Sequence, residues 1–180
     1  MVYVFLANGF EETEAIAPID ILRRAGAEVV TVGVGGGEIT GSHGITVIPD
    51  IIEQDVLLTD KVDMIVLPGG MPGTLNLEKS PTVQAAIKFC ADNGKLIGAI
   101  CAAPSVIGKL GLLDGKEAVC FPGFEDFLTG AKLSENKVCI DGDIITAAGA
   151  GVAVQFGLAL VKKLIGEAKA EKISASMQCI

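Results

Sequence analysis

The stretch Ala99-Ile100-Cys101-Ala102-Ala103 has a cysteine between an apolar run and a helical segment. Residues 95–100 before it and residues 104–108 after it predict a strand, a sharp turn and a helix. Small residues on both sides of Cys101 are typical of a nucleophile elbow, whose strained turn has no room for large neighbours. A cysteine at the start of a helix is expected to have a lowered thiol pKa. The alternative is a small buried side chain, the usual role of a free cysteine.

Strands and helices alternate along the rest of the chain. Apolar runs predict strands at 2–6, 28–34, 64–67, 95–100 and 118–121, and two hairpins, 38–40 with 45–48 and 137–140 with 143–147. Apolar residues at helical spacing predict helices at 14–25, 81–93, 103–108 and 152–165, followed by a polar tail. Strands that are buried on both faces and alternate with helices predict an α/β fold. We expect a doubly wound, mostly parallel sheet with helices on both faces.

Length, charge and cysteine content favour one soluble cytoplasmic domain over residues 1–180. The five cysteines are odd in number, include no C-x-x-C pair and follow no secretory leader, which indicates a reducing compartment. A net charge of −8 disfavours nucleic-acid binding, because phosphate contacts need a basic surface. Residues 144–161 carry no charge, but a strand followed by a helix explains them better than a membrane span.

Other residues that can do chemistry follow the predicted central strands. In open parallel sheets the site lies beyond the carboxyl ends of these strands. Gly69 and Gly70 follow strand 64–67, and their backbone N–H groups, with that of Ala102, are candidates for an oxyanion hole. The alternative is that the glycines serve only a tight turn.

Three carboxylates lie where the first strand ends and its helix begins, namely Glu11, Glu12 and Glu14. Each of them is explained structurally by the favourable interaction of a carboxylate with a helix start. The topology also brings this turn beside the cysteine elbow. A carboxyl group there would have to share a proton with the thiolate and would then donate a hydrogen bond to sulfur. The residues alone do not distinguish among the three.

Two further residues are accessory candidates. His43, the single histidine, lies in a glycine-flanked turn, where a role in the turn itself is the simpler interpretation. A Cys-His-Asp triad is therefore poorly supported. Cys120 follows a predicted strand near the site and is a candidate second thiol. We find no metal-ligand spacing and no cofactor motif, and we predict neither a metal nor a cofactor.

Six segments in the same order as in known proteins resemble the ThiJ/PfpI family, in its Parkinson-disease-protein-7 branch. They are ANGFEETE (7–14), DILRRAG (20–26), VLPGG (66–70), AICAAP (99–104), CFPG (120–123) and TAAGAG (146–151). The resemblance implies a flavodoxin-like sandwich of the class I glutamine amidotransferase type, usually a homodimer. It also implies Cys101 as nucleophile, Glu14 as its protonated partner, and oxyanion contacts from Gly69, Gly70 and Ala102.

The activity implied by this resemblance is that of a glutathione-independent glyoxalase or protein deglycase. Its substrates would be methylglyoxal, glyoxal and their early adducts. A redox-sensing or chaperone role without turnover is the alternative. Peptidase-like relatives have a histidine directly after the nucleophile, so Ala102 disfavours a peptidase. Some members of the branch have a histidine at the position of Phe121, and most have a proline at that of Ala150.

Overall fold

A seven-stranded sheet forms the centre of the molecule, for which the computed structural model describes residues 1–179. The strands are β1 (Val2–Ala7), β2 (Val29–Val34), β3 (Ile39–Thr40), β4 (Thr46–Val47), β5 (Ile51–Ile52), β6 (Met64–Leu67), β7 (Leu96–Ile100), β8 (Glu117–Ala118), β9 (Lys132–Leu133), β10 (Val138–Asp141) and β11 (Ile144–Ala147). The helices are α1 (Glu12–Arg24), α2 (Gly73–Lys79), α3 (Pro81–Asp92), α4 (Pro104–Lys109), α5 (Ala153–Leu164) and α6 (Glu167–Ser176).

The strand order in the central sheet is β10-β11-β7-β6-β1-β2-β5. All its pairs are parallel except that of β10 with β11, which is an antiparallel hairpin at the edge. Two small two-stranded sheets, β3–β4 and β8–β9, lie outside it. The predicted mostly parallel sheet is confirmed. Its carboxyl edge, where β1, β6 and β7 end side by side, is where we expected the site.

Both faces of the sheet are buried, as alternate side chains of β1 show. Tyr3 and Phe5 pack in a cluster with the apolar face of α3, whereas Val4 and Leu6 pack in a second cluster with α1, α5 and α6. Neither set is exposed to solvent, so β1 is apolar throughout rather than alternating with polar residues. The two clusters explain why the sheet needs helices on both sides.

Helix boundaries follow their capping residues. Helix α1 begins at Glu12 rather than at residue 14, because the Glu11 side chain caps it by accepting a hydrogen bond from the Glu14 N–H at 2.7 Å. Ser80 caps α3 in the same way, accepting from the Val83 N–H. Each helix therefore begins directly after its capping residue.

Several short elements were not predicted, and one prediction was wrong. Strands β5 and β9 contain only two residues each, too few for a periodic pattern. Helix α2 begins with a glycine, and α6 lies in the predicted polar tail, where few residues are buried. The strand predicted at 118–121 is limited to Glu117–Ala118, so Cys120 lies beyond it in a loop.

The uncharged segment 144–161 forms β11, a 3₁₀ turn and most of α5, as its change of periodicity predicted. Within residues 1–179, no helix combines the length and the apolarity needed to cross a bilayer. All five cysteines have free thiols.

Candidate functional site

Cys101 follows β7 directly and has a left-handed backbone conformation, with φ of +64°. Non-glycine residues rarely adopt this conformation unless the surrounding structure holds them in it. Here the Cys101 N–H donates to the Ala147 carbonyl and its own carbonyl accepts from the Phe121 N–H, each at 2.8 Å. The predicted strand, turn and helix are confirmed, and the strained residue is the cysteine itself.

The two glycines after β6 leave the space in which the cysteine and Glu14 meet. A Cβ on Gly69 would lie 2.5 Å from Oε2 of Glu14 and 2.6 Å from Cβ of Cys101. Gly70 has φ of +88°, which side chains disfavour. Any larger residue at 69 would therefore displace either the carboxylate or the cysteine.

Glu14 is held in the interior by backbone donors from two different loops. It is 1% exposed, and its Oε2 accepts a hydrogen bond from the Gly69 N–H at 2.9 Å. The Ala150 N–H and the Cys101 thiol also lie near this carboxyl group and act to lower its pKa. Burial raises the pKa of Glu14 to about 7, the charge of Glu11 adds to the rise, and these donors oppose it.

The pKa of the Cys101 thiol is raised to about 12, in contrast to the lowered value expected for a cysteine at a helix start. Burial is the main cause, and the neighbouring Glu14 carboxylate adds to it by its charge and its hydrogen bond. The backbone N–H groups of Gly70 and Ala102 lower the pKa, but by less. Helix α4 begins only at Pro104 and is six residues long, so its dipole contributes little.

Cys101 and Glu14 are therefore best described as one titrating pair. The pKa of Glu14 lies below that of the thiol, so the pair first loses the carboxyl proton and then carries one proton and one negative charge until the thiol ionises. Transfer of the remaining proton from sulfur to the carboxylate produces a thiolate beside a carboxylic acid. Glu14 is thus in position to act as a general base toward the thiol.

The structure separates the three carboxylates that the sequence left equivalent. Glu11 caps α1, whereas Glu14 contacts the thiol. Glu12 accepts hydrogen bonds from the backbone N–H groups of His43 and Ile45, at 2.7 and 3.3 Å, and so fixes the loop between β3 and β4.

The hydrogen bonds of Gly69 correct one predicted contact. Its N–H is engaged with Glu14, so it anchors the carboxylate rather than facing a substrate oxygen. The N–H groups of Gly70 and Ala102 act to lower the pKa of the Cys101 thiol and remain the candidates for an oxyanion hole. The sequence could not show this difference because it depends on where Glu14, from another segment, is placed.

Neither accessory candidate is brought to Cys101 by a hydrogen bond of its side chain. The His43 side chain is 71% exposed, and its Nδ1 pairs with Oε2 of Glu12 at 2.9 Å. The Cys120 thiol is buried in the cluster that contains α3. Burial raises the pKa of Cys120 to about 11, and the charge of Glu125 adds to the rise.

Three potential metal-ligand atoms, from Glu11, Glu12 and His43, lie within 4.8 Å of one another, although the sequence spacing predicted no such group. Each carboxylate already has protein partners, since Glu11 caps α1 and Glu12 holds the β3–β4 loop. Hydrogen bonding within the chain accounts for this cluster. The sequence missed it because His43 is far from the glutamates along the chain.

Known proteins resemble this chain over most of its length. A model of the DJ-1/PfpI family matches residues 1–163. Protein DJ-1 homolog B of Arabidopsis thaliana is 38% identical over 180 residues, which are 98% of this chain but 41% of that protein. The chain thus spans less than half the length of this plant relative. The structure described as "Toxoplasma gondii DJ-1, oxidized" is 38% identical with a TM-score of 0.93, covering 98% of this chain and 97% of that one.

A relative from Caenorhabditis elegans is named glutathione-independent glyoxalase DJR-1.2. It is 33% identical over 165 residues, which cover 91% of this chain and 87% of that protein. The fold, the site and the extent of these matches lead to one conclusion. The chain belongs to the DJ-1/PfpI family.

Proposed function

We propose that this protein is a cysteine-dependent glyoxalase that converts methylglyoxal or glyoxal to a hydroxy acid without glutathione. The observation that carries the proposal is that Glu14 and Cys101 lie on either side of Gly69, with Cys101 at a strained turn. A Cβ on Gly69 would be 2.5 Å from Oε2 of Glu14 and 2.6 Å from Cβ of Cys101. The name of the C. elegans relative supports this substrate class. An early adduct of a dicarbonyl with a protein amine keeps the former aldehyde carbon with its oxygen. Deglycation would act on that carbon and would use the same residues.

In the first step, Glu14 removes the thiol proton as the Cys101 sulfur attacks the aldehyde carbon. A C–S bond forms, and the electron pair of the carbonyl double bond moves to oxygen. The N–H groups of Gly70 and Ala102, which act to lower the thiol pKa, would stabilise this oxyanion. Glu14 then gives its proton to the oxygen, and the result is a hemithioacetal.

In the second step, the Glu14 carboxylate removes the proton from the carbon bonded to sulfur. The charge moves to the neighbouring carbonyl oxygen, and the hydroxyl proton transfers between the two oxygens. Glu14 returns its proton to the second carbon, which leaves a lactoyl thioester on Cys101. Water then adds to the thioester, the C–S bond breaks, and the thiol and lactate are released. No electrons are exchanged with another molecule.

The test is lactate formation by purified protein and methylglyoxal in the absence of glutathione. Cys101→Ser should reduce the rate by at least about a thousandfold. Cys179→Ser is the matched control, since Cys179 is the other partly exposed cysteine, and it should behave like the wild type. No lactate from the wild type, or equal rates in Cys101→Ser, would contradict the proposal.

A redox-sensing role is the second candidate, and one relative's structure is described as oxidized. Cys101 is partly exposed, whereas Cys90, Cys120 and Cys139 are buried. The raised pKa of Cys101 weighs against it, because peroxide oxidises the thiolate. Intact mass after mild peroxide treatment tests it: Cys101 should gain oxygen faster than Cys179, and equal rates would contradict a sensing role.

We also propose that the protein works as a homodimer in the cytoplasm, as the family resemblance and the five free thiols suggest. Light scattering on the purified protein should give twice the chain mass of 18.5 kDa. A mass of one chain at micromolar concentration would contradict the dimer.

A further inference from the structure

An open groove of about 410 Å³ lies beside the Cys101–Glu14 pair. Its walls come from two loops, the one after β8 and the one after β11, and from Lys137, which directly precedes β10. Its lining is mostly apolar or glycine, with one lysine, and consists of Phe121, Pro122, Lys137, Ala148, Gly149, Ala150, Gly151 and Val152. Neither loop takes part in the reaction proposed above, apart from the Ala150 N–H, which lies near Glu14.

The groove is connected to the reacting pair on both sides. The Phe121 N–H donates to the Cys101 carbonyl at 2.8 Å. A Cβ built on Gly149 would be 3.9 Å from Oε1 of Glu14 and 3.3 Å from the Phe121 ring. Residues that line the groove thus hold the Cys101 backbone and lie near the Glu14 carboxylate.

The Phe121 ring is the main apolar surface in this groove. It is 48% exposed, although a large apolar side chain gains free energy from burial. Gly149 has no side chain to cover the ring, and a Cβ there would already be in tight contact with it. The ring is thus left partly open in the groove.

We propose that this groove binds the substituent of the dicarbonyl substrate, and that Phe121 makes the enzyme prefer α-oxoaldehydes with an aryl or branched alkyl group over methylglyoxal. This inference rests on the proposed function and specifies its substrate class. The substituent packs on the Phe121 ring while the aldehyde carbon bonds to Cys101. The bonds made and broken are those of the glyoxalase reaction, with the larger group in place of methyl.

Turnover measurements test the preference directly. We compare kcat/KM for phenylglyoxal and methylglyoxal, each divided by its rate with free cysteine to remove intrinsic reactivity. The wild type should favour phenylglyoxal about tenfold, as expected if roughly 60 Å² of additional apolar surface leaves water. Phe121→Ala should lose at least about fivefold of this ratio. The control is Phe127→Ala, a similarly exposed phenylalanine (42%) outside the groove, and its ratio should not change.

A second measurement separates this inference from the proposed function, because it needs no turnover. Phenacyl bromide and bromoacetone both alkylate thiols and differ only in their phenyl and methyl groups. The rates of Cys101 modification, followed by intact mass and peptide mapping, are divided by the rates with free cysteine. Wild type and Phe127→Ala should again favour the phenyl reagent, and Phe121→Ala should not.

The two experiments have distinct outcomes. Turnover with the same phenyl-to-methyl ratio in wild type and Phe121→Ala overturns the groove assignment and leaves the glyoxalase proposal standing. A phenyl preference in alkylation that depends on Phe121, without turnover of either dicarbonyl, supports the groove and overturns the glyoxalase proposal. A phenyl preference in neither experiment overturns the groove assignment.

Discussion

Glu12 and Glu14 begin the same helix and are both buried, with exposures of 7% and 1%, yet their acidities move in opposite directions. Burial acts to raise the pKa of Glu12, but hydrogen bonds from His43 and from backbone N–H groups overcome it and lower this pKa to about 2. Burial raises the pKa of Glu14 to about 7, and its donors do not compensate.

The surroundings of the two carboxylates explain the difference. Glu12 faces a loop whose N–H groups and imidazole all donate to it. Glu14 faces the Cys101 thiol and is near the negative charge of Glu11. Burial alone therefore does not determine whether a carboxylate is structural or chemical. The number of donors and the sign of neighbouring charges do.

The largest difference between Glu14 and Glu12 is expected in the rate of lactate formation. Glu14→Gln should lower the rate of lactate formation about a thousandfold, because the base next to Cys101 is lost while its volume is kept. Glu12→Gln should stay within about tenfold of the wild type. Steady-state kinetics with methylglyoxal measure both, and similar losses in the two variants would contradict the assignment of Glu14.

The second-largest effect is expected in the pH dependence of stability, which should differ between the wild type and Glu14→Gln. The pKa of Glu14 is raised from 4.5 to about 7, so its proton stabilises the folded wild type fully below pH 4.5. The free energy of unfolding falls by about 3 kcal/mol as pH rises to 7. Glu14→Gln has no such proton and should be more stable than the wild type at pH 8. Urea unfolding at pH 4.5 and pH 8 measures the difference, and a constant difference between wild type and variant would contradict it.

The pH dependence of the rate follows from the same carboxyl group. Below pH 7 the Cys101–Glu14 pair is fully protonated and lacks a base. The rate should therefore fall about tenfold for each pH unit below 7 and reach a plateau above it. A profile of kcat/KM from pH 5 to pH 9 measures this, and a flat profile would show that Glu14 does not supply the base.

Removing the charge of Glu12 should destabilise the protein at neutral pH. Glu12→Gln loses charge-assisted hydrogen bonds to His43 and should cost about 2 kcal/mol. Because the pKa of Glu12 is lowered, its contribution is present above pH 4.5 and is lost as pH falls toward 2. Unfolding at pH 7 and pH 3 should show a smaller gap at pH 3, and an equal gap would contradict this.

The smallest effect is expected for His43, whose ring is largely exposed. Its pairing with Glu12 raises the pKa of His43, so the ionic contribution is complete below the ordinary value of about 6.5 and is lost as pH rises above the folded-state value. His43→Ala should therefore differ from the wild type more at pH 6 than at pH 9. Thermal unfolding at the two pH values measures it, and a larger difference at pH 9 would contradict the pairing.

The parts of the fold that the sequence predicted are those specified by local patterns. Strand β6 was predicted with its observed bounds, because four consecutive apolar residues precede Pro68-Gly69-Gly70. The predicted hairpin of β10 and β11 is similarly local. The short strand β5 was missed because its two residues are ordered by pairing with β2.

The candidate site was predicted in its components and not in its electrostatics. The elbow at Cys101 and the glycines after β6 are visible in the sequence, since each depends on neighbouring residues. The assignment of Glu14 came from the family resemblance. Its contact with the thiol, the use of the Gly69 N–H and the raised thiol pKa depend on segments distant in the chain.

The sequence by itself determined that a cysteine follows a central strand at a turn with small neighbours, because strand, turn and helix signals are short-range. Only the tertiary structure decided that the pKa of Glu14 is raised beside that cysteine, whereas the pKa of Glu12 is lowered and its side chain fixes a loop. The physical reason is that the acidity of a buried group depends on the charges and donors around it. Those around Glu12 and Glu14 come from the β3–β4 loop and from the ends of β6, β7 and β11.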